Sequence, residues 1–257
     1  MRKVFKLLYN SNFPLFKRIV PSLVKRFYFF NKVQIIKLDF FQIKVDVRHS
    51  IDREIFLKGY YEKKQLDFLK KISKEKNITH FFDIGANIGY YTLFFKNIEN
   101  IYAFEPNKKN FSKLKENINL NSLNVNLYNF GLSNSNSEKE IWYTNKNKMG
   151  GSAIFDKNDP ELRKYNSKDI IIEKIFTKRL DDILKIKLSN ILIKIDVERH
   201  EKKVLEGMEN IIKENNIVLQ IEVNDEQKKE VFNYLNNLNF KCINSIRHDH
   251  YFIKENI

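Results

Sequence analysis

Residues 81–89 read Phe-Phe-Asp-Ile-Gly-Ala-Asn-Ile-Gly, and the next apolar stretch, Ile101-Tyr102-Ala103-Phe104, ends in Glu105, 20 residues past the first glycine. An apolar strand closing on an acid, two glycines that let backbone approach a ligand, a helix start and a second strand closing on an acid describe half of a nucleotide-binding α/β sheet. The second acid suits ribose hydroxyls. A dinucleotide fingerprint would need glycine where this chain has Asn87, and its phosphates would sit on the helix N-terminus. With Asp83 and Asn87 in the loop instead, a ligand carrying a cationic amino group fits better than a pyrophosphate, which points to S-adenosylmethionine. A bare strand-turn-helix without a ligand is the plainer alternative.

The rest of the chain supplies a body for that motif. Its 257 residues, 42% hydrophobic and 14% aromatic, suffice for one domain with an appendage. Cys242 is the single cysteine, which excludes an intrachain disulfide and a cysteine-built zinc site and makes a reducing cytoplasm the natural compartment. The start, Met1-Arg2-Lys3-Val4-Phe5-Lys6, has the charges of a signal peptide, but Lys6 interrupts its apolar part and no small-residue cleavage site follows. No stretch approaches 18 uncharged apolar residues.

The net charge of +14 is concentrated at the front: positions 1–48 hold eleven Lys and Arg against Asp39 and Asp46. Phe5, Phe13, Phe16, Phe27, Tyr28, Phe29 and Phe30 accompany them, broken by Pro14 and Pro21. Basic plus aromatic is the composition of an interfacial membrane segment, so peripheral contact with the inner face of a membrane or with glycolipid through residues 1–48 is one reading. Packing of the aromatics on the main body with solvated lysines is another. Nucleic acid is the weakest, because an Asn-, Lys-, Ile- and Phe-rich chain is basic by composition alone. The chain is accordingly divided into a basic aromatic segment, 1–50, and a catalytic domain, 51–257.

Along the body, Arg53 to Ile72 reads as helices, followed by strand Phe81–Asp83, a helix from about Gly89, strand Ile101–Glu105 and a helix from Asn107. Strand Val125–Phe130 is next, and Asn134–Ser167 is a polar insertion around a strand at Glu140–Thr144, with another strand at Ile170–Phe176. Ile191–Asp196 is a buried strand ending in an acid, then come a helix through Val204, Leu205, Met208, Ile211 and Ile212, strand Ile217–Val223, and a helix through Val231 and Leu235. Phe240–Ile243 and Tyr251–Ile253 are short enough for an antiparallel hairpin. Alternating helices and strands predict a doubly wound, mostly parallel Rossmann-like sheet with that hairpin at its end and ligands at the carboxyl ends of its strands.

Those ends carry Asp83, Glu105, Asn129-Phe130-Gly131, Asp196-Val197-Glu198-Arg199-His200-Glu201, and Glu222 with Asn224. The chain resembles the FkbM family of S-adenosylmethionine-dependent methyltransferases through residues 82–92, Phe104-Glu105-Pro106-Asn107, Gly150-Gly151-Ser152 and Ile193-Lys194-Ile195-Asp196-Val197-Glu198, with Gly59-Tyr60-Tyr61-Glu62 as the family-like approach to the first strand. The likeness covers about residues 52–240 and implies a class I methyltransferase fold. It implies that Gly85, Ala86 and Gly89 carry the methionine end of S-adenosyl-L-methionine, with Asn87 among the cofactor-binding residues of the same loop, Asp83 near the amino group and Glu105 on both ribose hydroxyls. Asn129 and Phe130 would border the adenine, and Tyr91 and Thr92 continue the pattern; for Asn129, simple turn chemistry is an equal alternative.

The resemblance also implies O-methylation of a small-molecule or glycan acceptor, a sugar hydroxyl of a surface glycan, glycolipid or glycosylated precursor. A sugar hydroxyl is a poor nucleophile at neutral pH, so a base near the methyl is valuable, and His200 titrates in the useful range. Asp196 is the other candidate: it could take the proton, orient His200, or bind a divalent ion with Glu222 and Asn224, and metal dependence stays open. Glu198 lies in the same run, though Glu198 and Glu201 could simply favour the positive end of the following helix. Where the family run usually has glycine, this chain has Arg199, which could read an anionic group on the acceptor. Gly150-Gly151-Ser152 suits a lid over the substrate. An RNA ribose methyltransferase and a non-catalytic cofactor-binding module are the alternative functions; the first lacks a paired catalytic lysine constellation, and the acids at 83, 105 and 196 argue against the second.

Overall fold

The computed structural model describes residues 1–144, 168 and 170–255. The expected lid residues Gly150, Gly151 and Ser152 therefore lie outside the described residues. The chain opens with helices α1 (Arg2–Tyr9) and α2 (Pro14–Phe27) and a hairpin of strands β1 (Val33–Lys37) and β2 (Gln42–Asp46), followed by α3 (Ser50–Lys58) and α4 (Lys63–Glu75). The alternating body runs β3 (His80–Ile84), α5 (Tyr90–Phe94), β4 (Asn100–Phe104), α6 (Lys108–Leu120) and β5 (Asn126–Tyr128). Strands β6 (Gly131–Leu132), β7 (Ser137–Thr144) and β8 (Ile170–Lys178) form a separate three-stranded sheet in the order β6-β8-β7. Then come α7 (Leu180–Ile183), β9 (Asn190–Ile195), α8 (Glu201–Glu206), α9 (Glu209–Glu214), β10 (Asn216–Glu222), α10 (Asp225–Asn237), β11 (Lys241–Ile246) and β12 (Asp249–Lys254).

The central sheet has the order β11-β12-β10-β9-β3-β4-β5. Strands β10, β9, β3, β4 and β5 are parallel, and β12 returns antiparallel beside β10. This is the doubly wound, mostly parallel architecture with a C-terminal hairpin that the alternation predicts. Its strands read as continuous apolar runs because both faces are covered. Two apolar clusters lie on either side: Phe81, Leu69, Leu93 and Leu192 belong to one, Phe82, Ile193, Leu205 and Leu219 to the other. The chain winds outward from β3 to β5 in one direction and occupies β9 and β10 in the other, so the switch of direction lies between β3 and β9, where such sheets bind ligands.

Two elements depart from the sequence expectation. The helix after the glycine loop is only five residues long, and the helix after β9 divides into α8 and α9 around Gly207. The front segment also contains a hairpin that periodicity did not reveal. Its strand β2 lies along α6, where Asn117 and Asn121, four residues apart on one helical face, replace a strand partner. Gln42 and Lys44 donate their backbone N–H groups to Asn121 Oδ1 (2.8 Å) and Asn117 Oδ1 (2.7 Å). The front segment shares the core of the body: Phe5, Val20, Val24, Ile43 and Val45 are buried in the same cluster as Phe56 and Leu114. Several of its aromatics remain outside, with Phe13, Phe27, Phe29 and Phe30 exposed.

Candidate active site

The glycine loop turns because Gly85 and Gly89 adopt left-handed backbone (φ 82° and 86°), and Asn87 between them does so at φ 51°. Gly85 also has no room for a side chain: a Cβ there would lie 1.9 Å from the Asp196 carbonyl oxygen. The loops after β3 and β9 are thus pressed together, and Asp196 N donates to Ile84 O at 3.0 Å. The loop's N–H groups are taken up internally. Those of Gly85 and Ala86 reach Phe104 O (2.9 and 3.0 Å), and that of Gly89 reaches Ala86 O (2.8 Å).

Glu105 organises the next strand end. Its Oε2 accepts from Asn87 N (2.8 Å) and its Oε1 from Asn107 N (2.9 Å), so one carboxylate ties the glycine loop to the start of α6. Each oxygen keeps a further acceptor position, the arrangement a ribose diol needs. Burial pushes Glu105 up to about 7, with the two backbone N–H bonds opposing it. The side chain of Asn129 donates to Glu105 O (2.9 Å) and Pro106 O (3.2 Å), joining two strand ends as turn chemistry would. Phe130 is half-buried against Phe104 and Tyr128, with Lys178 Nζ 4.9 Å from its ring centroid.

Asp83, Tyr91 and Thr92 are fully or almost fully buried, behind the loop rather than on a surface. Thr92 Oγ1 donates to Asp83 Oδ2 (2.6 Å), while Asp83 Oδ1 has no partner. Tyr91 OH donates to Glu62 Oε2 (2.7 Å) and accepts from Gln220 Nε2 (3.3 Å). Glu62 therefore anchors the approach segment to the interior. Gln220 also donates to Asp249 Oδ1 (2.7 Å), which Gln65 reaches from α4 through Oδ2 (3.0 Å).

At the centre of this polar layer is a residue that the sequence reading passed over. Lys194 is 5% exposed, its Nζ donates to Asp196 Oδ2 at 3.0 Å, and it lies 4.8 Å from the Tyr91 ring centroid. Burial would lower its pKa, but the charges of Asp196, Asp83 and Glu62 outweigh burial and hold it above its ordinary value. Strand register places Asp83, Lys194, Gln220 and Tyr251 side by side across four strands. A lysine inside an otherwise apolar strand, two residues before an acid, was the available signal.

Of the three residues expected to do proton chemistry, Asp196 reaches the sheet edge with Lys194 as its hydrogen-bond partner. His200 does not pair with it. His200 is buried at the start of α8, Nε2 lies 3.0 Å from Ser133 Oγ, and burial with the Lys139 and Lys203 charges lowers its pKa to about 4. Glu198 is exposed with left-handed backbone (φ 51°), followed by Arg199 at φ 73°. This is the position where glycine was expected, and the turn keeps the glycine conformation with an arginine in it. Arg199 N donates to Glu201 Oε1 (2.9 Å), Arg199 O accepts from Gln227 Nε2 (3.1 Å), and its guanidinium lies 3.5 Å from Glu226. Burial and the charges of Asp196, Asp249 and Glu198 push Glu222 up to about 9. No group of three or more His, Cys, Asp or Glu side chains that could hold a metal ion occurs among the described residues.

Comparison with known proteins identifies the family of the chain. The model of the methyltransferase FkbM domain matches residues 83–242, from the acid of β3 to the start of the terminal hairpin. Hexuronic acid methyltransferase AglP of Haloferax volcanii is 26% identical over 137 residues, 53% of this chain and 53% of that protein, so the match spans about half the length of that relative. Among solved structures, an FkbM methyltransferase from Methylobacillus flagellatus is 16% identical over 68% of this chain and 44% of its own, with a TM-score of 0.45. An rRNA methylase from Streptococcus thermophilus is 14% identical over 74% of this chain and 92% of its own, with a TM-score of 0.42. Because the domain model takes in well over half of its length, this chain belongs to the FkbM methyltransferase family.

Proposed function

We propose that this protein is an O-methyltransferase that uses S-adenosyl-L-methionine and methylates a sugar hydroxyl of a surface glycan, glycolipid or glycosylated precursor. The observation that carries the donor assignment is the Glu105 carboxylate, fixed through both oxygens by the backbone N–H groups of Asn87 and Asn107 beside a loop that only glycine permits at 85. In this reading Glu105 holds the ribose, and Gly85, Ala86, Asn87 and Gly89 form the surface under the methionine end. Asp83, braced by Thr92, supports that surface from behind, and Asn129 and Phe130 border the adenine. The bound donor supplies a methyl group made electrophilic by its sulfonium.

The chain's own task is to orient the acceptor and accept its proton. Asp196 is the proposed base: Lys194 occupies Oδ2 and leaves Oδ1 to take the hydroxyl proton. Glu198 and His200 complete the proposed acceptor side, Glu198 by its exposure and His200 by fixing the turn to Ser133. The relative from Haloferax volcanii acts on a hexuronic acid. That supports a sugar acceptor here and, with Arg199 three residues after the base in the same loop, one that carries an acidic group. Residues 51–257 would perform the transfer in the cytoplasm, with residues 1–50 governing where it takes place.

The test is transfer of label from methyl-tritiated S-adenosylmethionine to glycan and glycolipid extracts of cells lacking the gene. Label recovered as a sugar methyl ether, and absent from extracts of the parent cells, is the expected result. Incorporation into RNA, or none into saccharide, would overturn the reading.

A further inference from the structure

We propose that the outward face of α1 and α2 docks on an anionic lipid bilayer. Helix α2 has two apolar stripes. Val20 and Val24 face the core, whereas Leu15, Ile19, Leu23 and Phe27, spaced by four, form a second stripe that is exposed. Helix α1 repeats the division, with Phe5 inward and Val4 and Leu7 outward. Phe29 and Phe30 follow α2 in an edge-to-face pair, and Phe30 is 97% exposed. Contiguous apolar surface of this kind on a water-facing helix marks an interaction site.

Charge selects the occupant. Residues 1–38 contain nine Lys and Arg and no Asp or Glu. A second copy of the same face would bring like charges together, and the phosphates of a nucleic acid would leave the aliphatic stripe without a partner. An anionic bilayer meets both requirements: its headgroups take exposed basic side chains such as Lys3, Lys17, Arg18 and Arg26, and its acyl boundary takes the leucines and phenylalanines. Embedded Phe and Leu with flanking lysines is the arrangement of helices that lie in the interface plane. No helix among the described residues is long and apolar enough to cross a membrane.

The docking face adjoins the approach to the site. Arg2 Nε donates to Phe56 O (2.9 Å), and the Lys6 and Arg2 side chains lie against Gly59, three residues before Glu62. If the sugar-hydroxyl reading holds, on which this step rests, the acceptor is presented on a lipid. The docking itself goes beyond that reading and requires no methyl transfer.

Sedimentation of the full chain with phosphatidylglycerol–phosphatidylcholine vesicles, and with phosphatidylcholine alone, tests it. Binding to the anionic vesicles is expected, and it should weaken strongly as salt rises from about 0.1 M to about 1 M and the screening length falls from about 10 Å to about 3 Å. Leu15→Ser with Leu23→Ser should weaken it at least tenfold. Phe29→Ser with Phe30→Ser, outside the helices, should do the same without bearing on the fold. Unchanged melting and cofactor affinity in both variants would show that docking alone was lost. Absence of binding to anionic vesicles, binding undiminished in both variants, or a concentration-dependent dimer that the variants dissolve would overturn the proposal. Failure of the label-transfer assay with vesicle binding intact would count against the acceptor reading only.

Discussion

The ammonium of Lys194 stands 3.0 Å from Asp196 Oδ2 with the Tyr91 ring centroid 4.8 Å away on the interior side. A cation placed there has two effects. It fixes one oxygen of the proposed base, and its charge works against the burial that raises the pKa of Asp83 and Glu62. Removing one member of a buried charge set leaves the others uncompensated, which costs more than the pair contributes.

Lys194→Met should therefore destabilise the protein by about 2–4 kcal/mol, somewhat below the range of about 3–5 kcal/mol for fully buried pairs because Asp196 is partly solvated. Lys194→Arg should recover only part of this, since a planar fork does not fit a site shaped for a point charge. Denaturant unfolding of the three proteins measures it. A loss under about 1 kcal/mol for Lys194→Met would show that the acids are neutral in the folded protein.

Glu105→Ala should weaken binding of S-adenosylmethionine and of S-adenosylhomocysteine alike, by about 1.5–3 kcal/mol, the range for charge-assisted hydrogen bonds. That corresponds to roughly tenfold to a hundredfold in affinity. Glu105→Gln should fall between, because it retains one acceptor oxygen. Calorimetry decides: equal affinity in a folded Glu105→Ala protein would remove the ribose assignment, and binding of NAD by the parent would reverse the reading of the loop.

Stability of the unliganded protein should be nearly level between about pH 4.5 and 6.5 and decline from there to about pH 9. Two sets of groups oppose each other in the lower window. Glu105 and Glu201, each raised to about 7 by burial, and Glu222, raised to about 9, favour the protonated fold and lose their contribution as pH rises from the ordinary carboxylate range. His49, His200 and His250, each lowered to about 4 by burial, favour the neutral ring and lose theirs as pH falls below the ordinary histidine value. Above 7 only the decline continues, through Glu222 near 9. Melting temperatures across this range check it, and a maximum at pH 9 would contradict the assigned directions.

The parallel strands were legible because burial on both faces makes each a run of Ile, Leu and Phe, as at Ile191–Ile195, and Glu105 was legible because its spacing from Gly85 follows from one strand-helix-strand repeat. What failed to show were features set by long-range contact. The hairpin of β1 and β2 has mixed polarity because one strand borrows its partners from the Asn117 and Asn121 side chains, 73 and 79 positions away. Tyr91 and Thr92 read as cofactor contacts from their place in the motif, yet their hydroxyls turn inward to Glu62 and Asp83. His200 has the chemistry of a base, but the β6–β7 segment supplies Ser133, which the local sequence around His200 could not announce.

Arg199 allows two effects to be separated in one variant. Its backbone is left-handed at φ 73°, a conformation that a side chain disfavours by roughly 1–2 kcal/mol and glycine does not. Its pairing with Glu226 at 3.5 Å involves a carboxylate with 77% exposure and so contributes little to stability. Arg199→Gly should on that account leave the protein as stable as the parent or more so. If the guanidinium reads an acidic group on the acceptor, the same variant should raise the acceptor's KM roughly tenfold to a hundredfold while cofactor affinity stays unchanged, the loss of one charge-assisted contact. Arg199→Ala separates the contributions, because it removes the guanidinium but keeps the disfavoured backbone. A raised KM in both variants with a higher melting temperature only in Arg199→Gly would assign substrate recognition to the side chain and strain to the turn. Parent-like KM in both would leave the arginine as a residue that the turn tolerates.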